Sequence, residues 1–328
     1  MTTKTKTAKA KPNLYEEITG QVIESLESDR IPWRRSWSQQ GGPRSASTGK
    51  LYQGINAMIL PLIAELQGFS SPWWITFKQA KKLGGSVVKG QKSSRAVWWS
   101  FIEEVDKKTK KKTGKQIPIL KSFAVFNFDQ CEMPSDVLAR YAARLDRLNG
   151  QGWVSEDATN QDLVDQADTV LADYMNREPL TFSNGGDRAY YDPTRDHIQM
   201  PNRDQFRSPE SYLHTLAHEQ VHSTGHKDRL NRAVDGQAAF GSETYSREEL
   251  VAELGASFIN STLGIEIDND IQDRNAYIQN WVSMLKDDVK AIIFAAGRAT
   301  KAANMILSID PDQGEAEEAL KYEPKAKK

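Results

Sequence analysis

Leu213-His214-Thr215-Leu216-Ala217-His218-Glu219-Gln220-Val221-His222-Ser223-Thr224-Gly225-His226 gathers four of the chain's five histidines into one short stretch. Ser208 is placed to cap a helix that starts at Pro209, and Gly225 is placed to end it. On that helix His218 and His222 sit four apart, one turn up the same face, so both imidazoles reach one ion at about 2.0–2.1 Å. Glu219 follows the first imidazole directly and can hold a metal-bound water. Zinc lowers the pKa of such a water toward roughly 7, and the carboxylate takes its proton during attack on a carbonyl. The bland alternative is a surface helix that happens to carry two histidines. A capped helix with apolar neighbours, in a chain so poor in histidine, speaks against it. The stretch predicts a metallopeptidase-type site with His218 and His222 as ligands to Zn2+, or to another divalent transition metal, and Glu219 as the catalytic base.

The third ligand has several candidates. His214 is eight residues from His222, a rise of about 12 Å along the helix, and is too far away. Asp228 gives a HExxHxxGxxD reading in which Gly225 turns the chain back to the metal. Glu249 and Glu253 lie in Ser246-Arg247-Glu248-Glu249-Leu250-Val251-Ala252-Glu253-Leu254-Gly255-Ala256. This ExxAE resembles the second helix of gluzincin-type peptidases, where the first acid binds metal and the one four residues on supports a ligand histidine. Glu249 leads on that basis, with Glu253 and Asp228 as alternatives. Ser246-x-x-Glu249 also reads as a capping box, which would give Glu249 a purely structural role. Tyr190, Tyr191, His197 and His226 are candidates for a polarising group.

Outward from this stretch, helical periodicity predicts helices over 209–224, 246–263 and, as one long element, 273–305. Upstream, helices are expected at 135–148 and 160–176, with β segments at 179–183 and 188–200. The first part reads as helices at 13–30, 53–67 and 76–83 and strands at 95–103 and 117–128. Between those strands lies the Lys-rich loop Lys107–Lys115. The 328 residues suit two domains. The expected class is α+β: an α+β unit over 13–133, then a mainly helical unit with a small antiparallel sheet over 134–308. The basic arm 1–12 and the tail 309–328 read as disordered.

The overall charge of −1 conceals a division: residues 1–130 carry +12 and the remainder −13. Six of the eight tryptophans (33, 37, 73, 74, 98, 99) fall in the positive part. Aromatic faces among Lys and Arg are what single-stranded nucleic acid needs, since unpaired bases stack while cations follow phosphates. The candidate DNA contacts are Trp33, Arg34, Arg35, Trp37, Lys50, Tyr52, Asn56, Trp73, Trp74, Lys78, Lys89 and Lys92. The competing reading makes the tryptophans core residues and the charge a solvated surface; for Trp98 and Trp99, in a strand, at least one is expected in the core. Cys131 is the only cysteine, which excludes an internal disulfide and fits a reducing compartment. No apolar run approaches the roughly 20 residues that span a bilayer, and no hydrophobic segment follows the Lys/Thr/Ala start. A cytoplasmic protein without a membrane partner is expected.

Residues 14–133 resemble the N-terminal single-stranded DNA-binding domain of the ArdC antirestriction family. The matching stretches are Pro32–Trp37, Thr48–Asn56, Trp74–Ala80, Gly84–Gly90 and Val125–Gln130. The second half is similar to that family's zincin-like domain through Ala189–Pro193, the HExxH helix to His226, Arg229–Arg232 and Phe240–Glu243. The resemblance implies a protein that shields entering plasmid or phage DNA from host restriction. Asp228 stands outside the family pattern, which further favours Glu249. Two other functions compete: a peptidase delivered to DNA-associated protein substrates, and a non-enzymatic DNA binder whose metal only braces the fold.

Overall fold

The computed structural model describes residues 13–33, 42–105, 112–150, 158–232, 243–266 and 274–310. The arm 1–12, the tail beyond 310, most of the Lys-rich loop, and Arg34, Arg35 and Trp37 lie outside these residues. The first part opens with α1 (Leu14–Glu27). It starts at a reciprocal capping box in which Asn13 Oδ1 accepts from the Glu16 amide and the Glu16 carboxylate accepts from the Asn13 amide. There follow β1 (Arg44–Ser45), α2 (Ile55–Gln67), β2 (Trp73–Ile75), α3 (Phe77–Lys82), β3 (Ser86–Val87), β4 (Ser94–Val105), β5 (Lys112–Asn127) and β6 (Cys131–Glu132). The main sheet has the order β1-β2-β5-β4, and β3 pairs with β6 beside it. The long β4–β5 hairpin runs in register from Ser94 opposite Val125 to Glu103 opposite Gln116. It extends both predicted strands toward the Lys-rich loop.

The second part contains α4 (Ser135–Gly150), α5 (Asn160–Arg177), β7 (Thr181–Asn184), β8 (Tyr190–Asp192), β9 (His197–Met200), α6 (Pro209–Ser223), α7 (Glu243–Leu263), α8 (Arg274–Asp287) and α9 (Ala291–Ile306). The class is α+β. Two expectations are corrected. The small sheet is mixed rather than antiparallel, with order β7-β9-β8 and a parallel β7–β9 pair; strands of three or four residues carry no sequence signal for direction. The single long helix at 273–305 is two helices. The Asp288 carboxylate accepts from the Lys290 amide at 3.0 Å, a local turn that competes with helical bonding.

Helix α7 is buried on nearly every side: Leu250, Val251, Ala252, Leu254, Ala256 and Ile259 are all inaccessible. A helix covered on so many sides lies at the centre of its layer. It lies between α6 and α9, the latter packed through Ala295, Ala296, Ala299, Ala302 and Ala303. Packing crosses the expected boundary at 133. Ile18, Val22 and Leu26 of α1 bury in the same core as α7, α8 and α9. Thr19 Oγ1 donates to Val289 O at 2.6 Å, and the Gly54 amide donates to Thr300 Oγ1 at 2.8 Å.

Candidate metal centre

Helix α6 starts as its sequence demands: Ser208 Oγ accepts from the Ser211 amide at 3.2 Å and Pro209 occupies the first turn. Helix α7 lies close against it because Gly255 has no side chain; a Cβ there would stand 2.7 Å from Val221 Cγ2. That approach carries the carboxylate of Glu249 to the two imidazoles. Nε2 of His218 and Nε2 of His222 are 3.1 Å apart, and the Glu249 oxygens lie 3.4 Å from each. Ligands at 2.0–2.1 Å around a tetrahedral ion are themselves about 3.3 Å apart, so this triangle has the size of a metal's coordination face. Two imidazole nitrogens and a carboxylate make a donor set that suits a divalent cation. Among the described residues these three form the one such group of His, Cys, Asp and Glu.

The remaining candidates separate around this triangle. Glu219 is buried at 7 % exposure, on α6 beside the two histidines. Glu253 stands behind His218, with Oε2 3.8 Å from His218 Nδ1 and 3.8 Å from His214 Nε2. His214 is fixed in turn by Asn260, whose Nδ2 lies 3.0 Å from His214 Nδ1. Asp228 points elsewhere: its carboxylate is 3.5 Å from His226 Nδ1 and two-thirds exposed. Ser246 falls inside α7, which begins at Glu243, so the capping-box role for Glu249 does not arise. Of the four polarising candidates, Tyr191 donates to Asp196 at 2.8 Å, and that carboxylate also holds the buried guanidinium of Arg229. The ring nitrogens of His197 meet Thr181 and Ser183 hydroxyls, His226 sits beside Asp228, and Tyr190 is exposed.

Sequence reasoning missed Glu248 and Arg232. Glu248 Oε1 lies 3.7 Å from His222 Nδ1 and 2.6 Å from Arg232 Nη2. Arg232 also donates to Thr224 Oγ1 at 2.6 Å and Val221 O at 2.7 Å, tying the loop after α6 back onto that helix. Each of the two imidazoles therefore has a carboxylate on its Nδ1 side, at 3.8 Å for His218 and 3.7 Å for His222, outside direct hydrogen-bond range but on the side where an outer carboxylate orients a metal-binding histidine. The adjacent acids Glu248-Glu249 were the available signal. Burial disfavours charge on His222, yet Glu248 and Glu249 outweigh it and push its pKa up to about 10. Burial likewise opposes ionisation of Glu249, but the two imidazoles hold its pKa well below the usual carboxylate range.

The expected DNA contacts divide sharply. Trp33, Trp73 and Trp74 are 1 %, 3 % and 1 % exposed. Trp33 packs edge-on to Trp281, Trp73 to Tyr141 and Trp74 to Phe69, so none offers a free ring face and all three leave the stacking surface. Asn56 is also corrected: its amide exchanges two hydrogen bonds with the Val97 backbone, at 2.7 and 2.8 Å, and serves as a strand partner. Lys78, Lys89 and Lys92 are exposed, and Lys50 and Tyr52 are half-buried. Burial, opposed by a hydrogen bond with Ser45, pushes the Tyr52 hydroxyl up to about 12.

Residues 12–126 match the sequence family of the N-terminal domain of anti-restriction factor ArdC, and 166–298 match a zincin-like metallopeptidase family. A crystal structure of the antirestriction ArdC protein from plasmid R388, metal-free, is 35 % identical at TM-score 0.67 and covers 91 % of this chain and 98 % of that one. The chain belongs to the ArdC antirestriction family. The Mn(II)-bound structure of the same plasmid protein is 34 % identical, with TM-score 0.68. A DNA primase TraC from Escherichia coli is 33 % identical over 93 % of this chain; the chain spans only 28 % of that relative, and 20 % of a second TraC. No helix of this family member is long and apolar enough to cross a membrane, among the described residues.

Proposed function

We propose that this ArdC-family chain binds single-stranded DNA, protects incoming plasmid or phage DNA from restriction, and carries a metal-dependent peptidase centre. The carrying observation is the triangle of His218, His222 and Glu249 with buried Glu219 beside it. His218, His222 and Glu249 would hold the ion, with zinc the preferred occupant for its N,N,O donor set. The manganese seen in the R388 protein makes a second divalent occupant reasonable. When bound, such an ion supplies Lewis acidity toward a carbonyl oxygen and makes water a stronger acid. Glu219 accepts the proton of the attacking water on its carboxylate and can return it to the leaving amine. Glu253 and Glu248 keep the two imidazoles in position, and the buried surroundings of Glu219 strengthen its interactions with charge.

The DNA role is supported by family membership and by the +12 charge of residues 1–130. Exposed Lys78, Lys89 and Lys92 are suited to phosphates, whereas the buried tryptophans are not suited to bases. Covering of DNA is favoured over proteolysis of a restriction enzyme, because basic surface suffices for it. The test is plasmid transfer into a restricting host with wild type, Glu219→Ala, and the triple Lys78→Ala/Lys89→Ala/Lys92→Ala variant. Protection is expected to survive Glu219→Ala and to fall in the lysine variant. Loss of protection in Glu219→Ala, with metal content and DNA affinity normal, would make the chain instead a peptidase acting on DNA-associated protein.

A further inference from the structure

With Trp33, Trp73 and Trp74 in the core, the basic half needs another ring if it is to stack bases. Strand β4 supplies one. Ala96 and Val97 face opposite sides of the sheet and both are buried, at 0 % and 6 % exposure. Trp98, the next residue, is 48 % exposed. Trp98 shares the face of Ala96 one pleat further along, about 7 Å beyond it, where the hairpin has left the core. Directly across the hairpin is Lys121, whose Nζ lies 5.2 Å from the indole centroid. Lys121 is exposed, and among the described residues no carboxylate lies within ion-pair reach of it. An indole half in water leaves on the order of 100 Å² of ring unburied, beside an exposed ammonium.

We propose that Trp98 is a base-stacking site for single-stranded DNA, with Lys121 meeting the phosphate of the stacked nucleotide. This rests on the reading that the basic half binds single-stranded DNA, and names the place. Magnitudes decide how the pair works. A lysine over an exposed ring is worth roughly two- to fivefold in an equilibrium; a stacked base is worth about 5- to 150-fold. The base therefore takes the ring face, and the ammonium, one strand away, moves to the backbone anion that arrives with it. Phe77 on α3 also carries a lysine, Lys81 at 5.0 Å. That pair is four apart on one helix, a spacing that brings side chains together without any ligand. Direct opposition in the hairpin brings Trp98 and Lys121 together in the same way, so the choice of Trp98 rests on the larger aromatic face that an indole offers a base.

The test is fluorescence anisotropy of a labelled oligothymidylate and of a duplex of equal length, titrated with the full chain. Trp98→Ala should weaken oligothymidylate binding about 5- to 150-fold, Trp98→Phe only a few-fold, because a ring remains. Leu66→Ala removes an equally exposed apolar side chain from the same half, at 53 % exposure, and should change nothing. Circular dichroism should be unaltered in all three. If wild type binds and Trp98→Ala matches it within twofold, the stacking site is wrong while the DNA reading stands. If wild type itself fails to bind, both fall. Equal weakening for duplex and single strand also overturns the site, since stacking needs an unpaired base. So does unchanged DNA affinity in a variant that dissociates a wild-type dimer, which would give the indole to a second copy of the chain.

Discussion

The two helices that build the metal triangle and the tryptophans of the basic half were both visible as clusters of functional residue types, yet folding treated them oppositely. On α6 the four-residue spacing of His218 and His222 is a property of one helix, and no distant packing is needed to bring the imidazoles together. Trp33, Trp73 and Trp74 have no such local rule. Their exposure depends on what covers them, and Trp281, Tyr141 and Phe69 arrive from 248, 68 and 5 residues away. Local geometry survives translation into structure; an assignment of surface position does not.

The largest effect that separates the two regions is loss of the ion. His218→Ala with His222→Ala should reduce bound metal from about one ion per chain to background, because a lone carboxylate remains. Elemental analysis of the purified variant reads this directly. Asp228→Ala should keep full occupancy, and metal loss in that variant would move the third ligand from α7 to the loop after α6. Next in size is Glu219→Ala, expected to lower peptidase turnover about 10²- to 10⁴-fold while the ion stays bound. Retained activity at normal metal content would remove Glu219 from proton transfer.

In the other region the sharpest contrast is Trp74→Ala. As a fully buried side chain it should cost about 3–5 kcal/mol of stability, read by denaturant unfolding. The folded fraction should bind single-stranded DNA as wild type does. A variant with normal stability and lost DNA affinity would return Trp74 to the surface.

Much of the fold was legible before the structure, for identifiable reasons. Ser208 and Pro209 announced the start of α6, and strong periodicity marked α1, α2, α5 and α7. The break between α8 and α9 was hidden because Asp288 and Lys290 are unremarkable helix residues until their turn forms. At the site, Glu249 was legible through its four-residue relation to Glu253, but Glu248 was not. Its partner Arg232 lies across a loop, and no sequence period links the two. Trp98 was obscured for a related reason: an alternating strand says which residues share a face, not where along the strand the core ends.

The hidden partners give the next smaller effect. Arg232→Ala should weaken metal affinity about 10- to 100-fold, since it frees Glu248 from behind His222. Arg232→Lys should recover part of the loss by restoring one charged hydrogen bond to Glu248. The readout is metal competition against a chelator of known affinity, with the ion-free protein's unfolding midpoint measured alongside. Lower affinity in Arg232→Ala at an unchanged midpoint assigns a positioning role; a midpoint that falls with it makes Arg232 merely a brace of the loop.

The smallest effect concerns the exposed lysines, and it tests whether the basic half retains a DNA surface once its tryptophans are removed from it. Lys78, Lys89 and Lys92 are exposed and in water, so none is fixed in place by packing. Their contribution should be almost purely electrostatic. A cation that neutralises one phosphate of a single strand releases condensed counterions, and the slope of log affinity against log salt changes by about 0.7 per contact. Each single Lys→Ala change should flatten that slope by about this amount when the lysine touches phosphate, and by nothing when it does not. The affinity loss should be the same for any base sequence, because phosphates carry none. Trp98→Ala should instead lower affinity at every salt concentration, with a slope change no larger than the about 0.7 of the single phosphate contact assigned to Lys121. Lysine variants that weaken binding equally at all salt concentrations would show that their side chains act through packing or bases. The electrostatic and stacking parts of the surface would then not be separable as the burial pattern divides them.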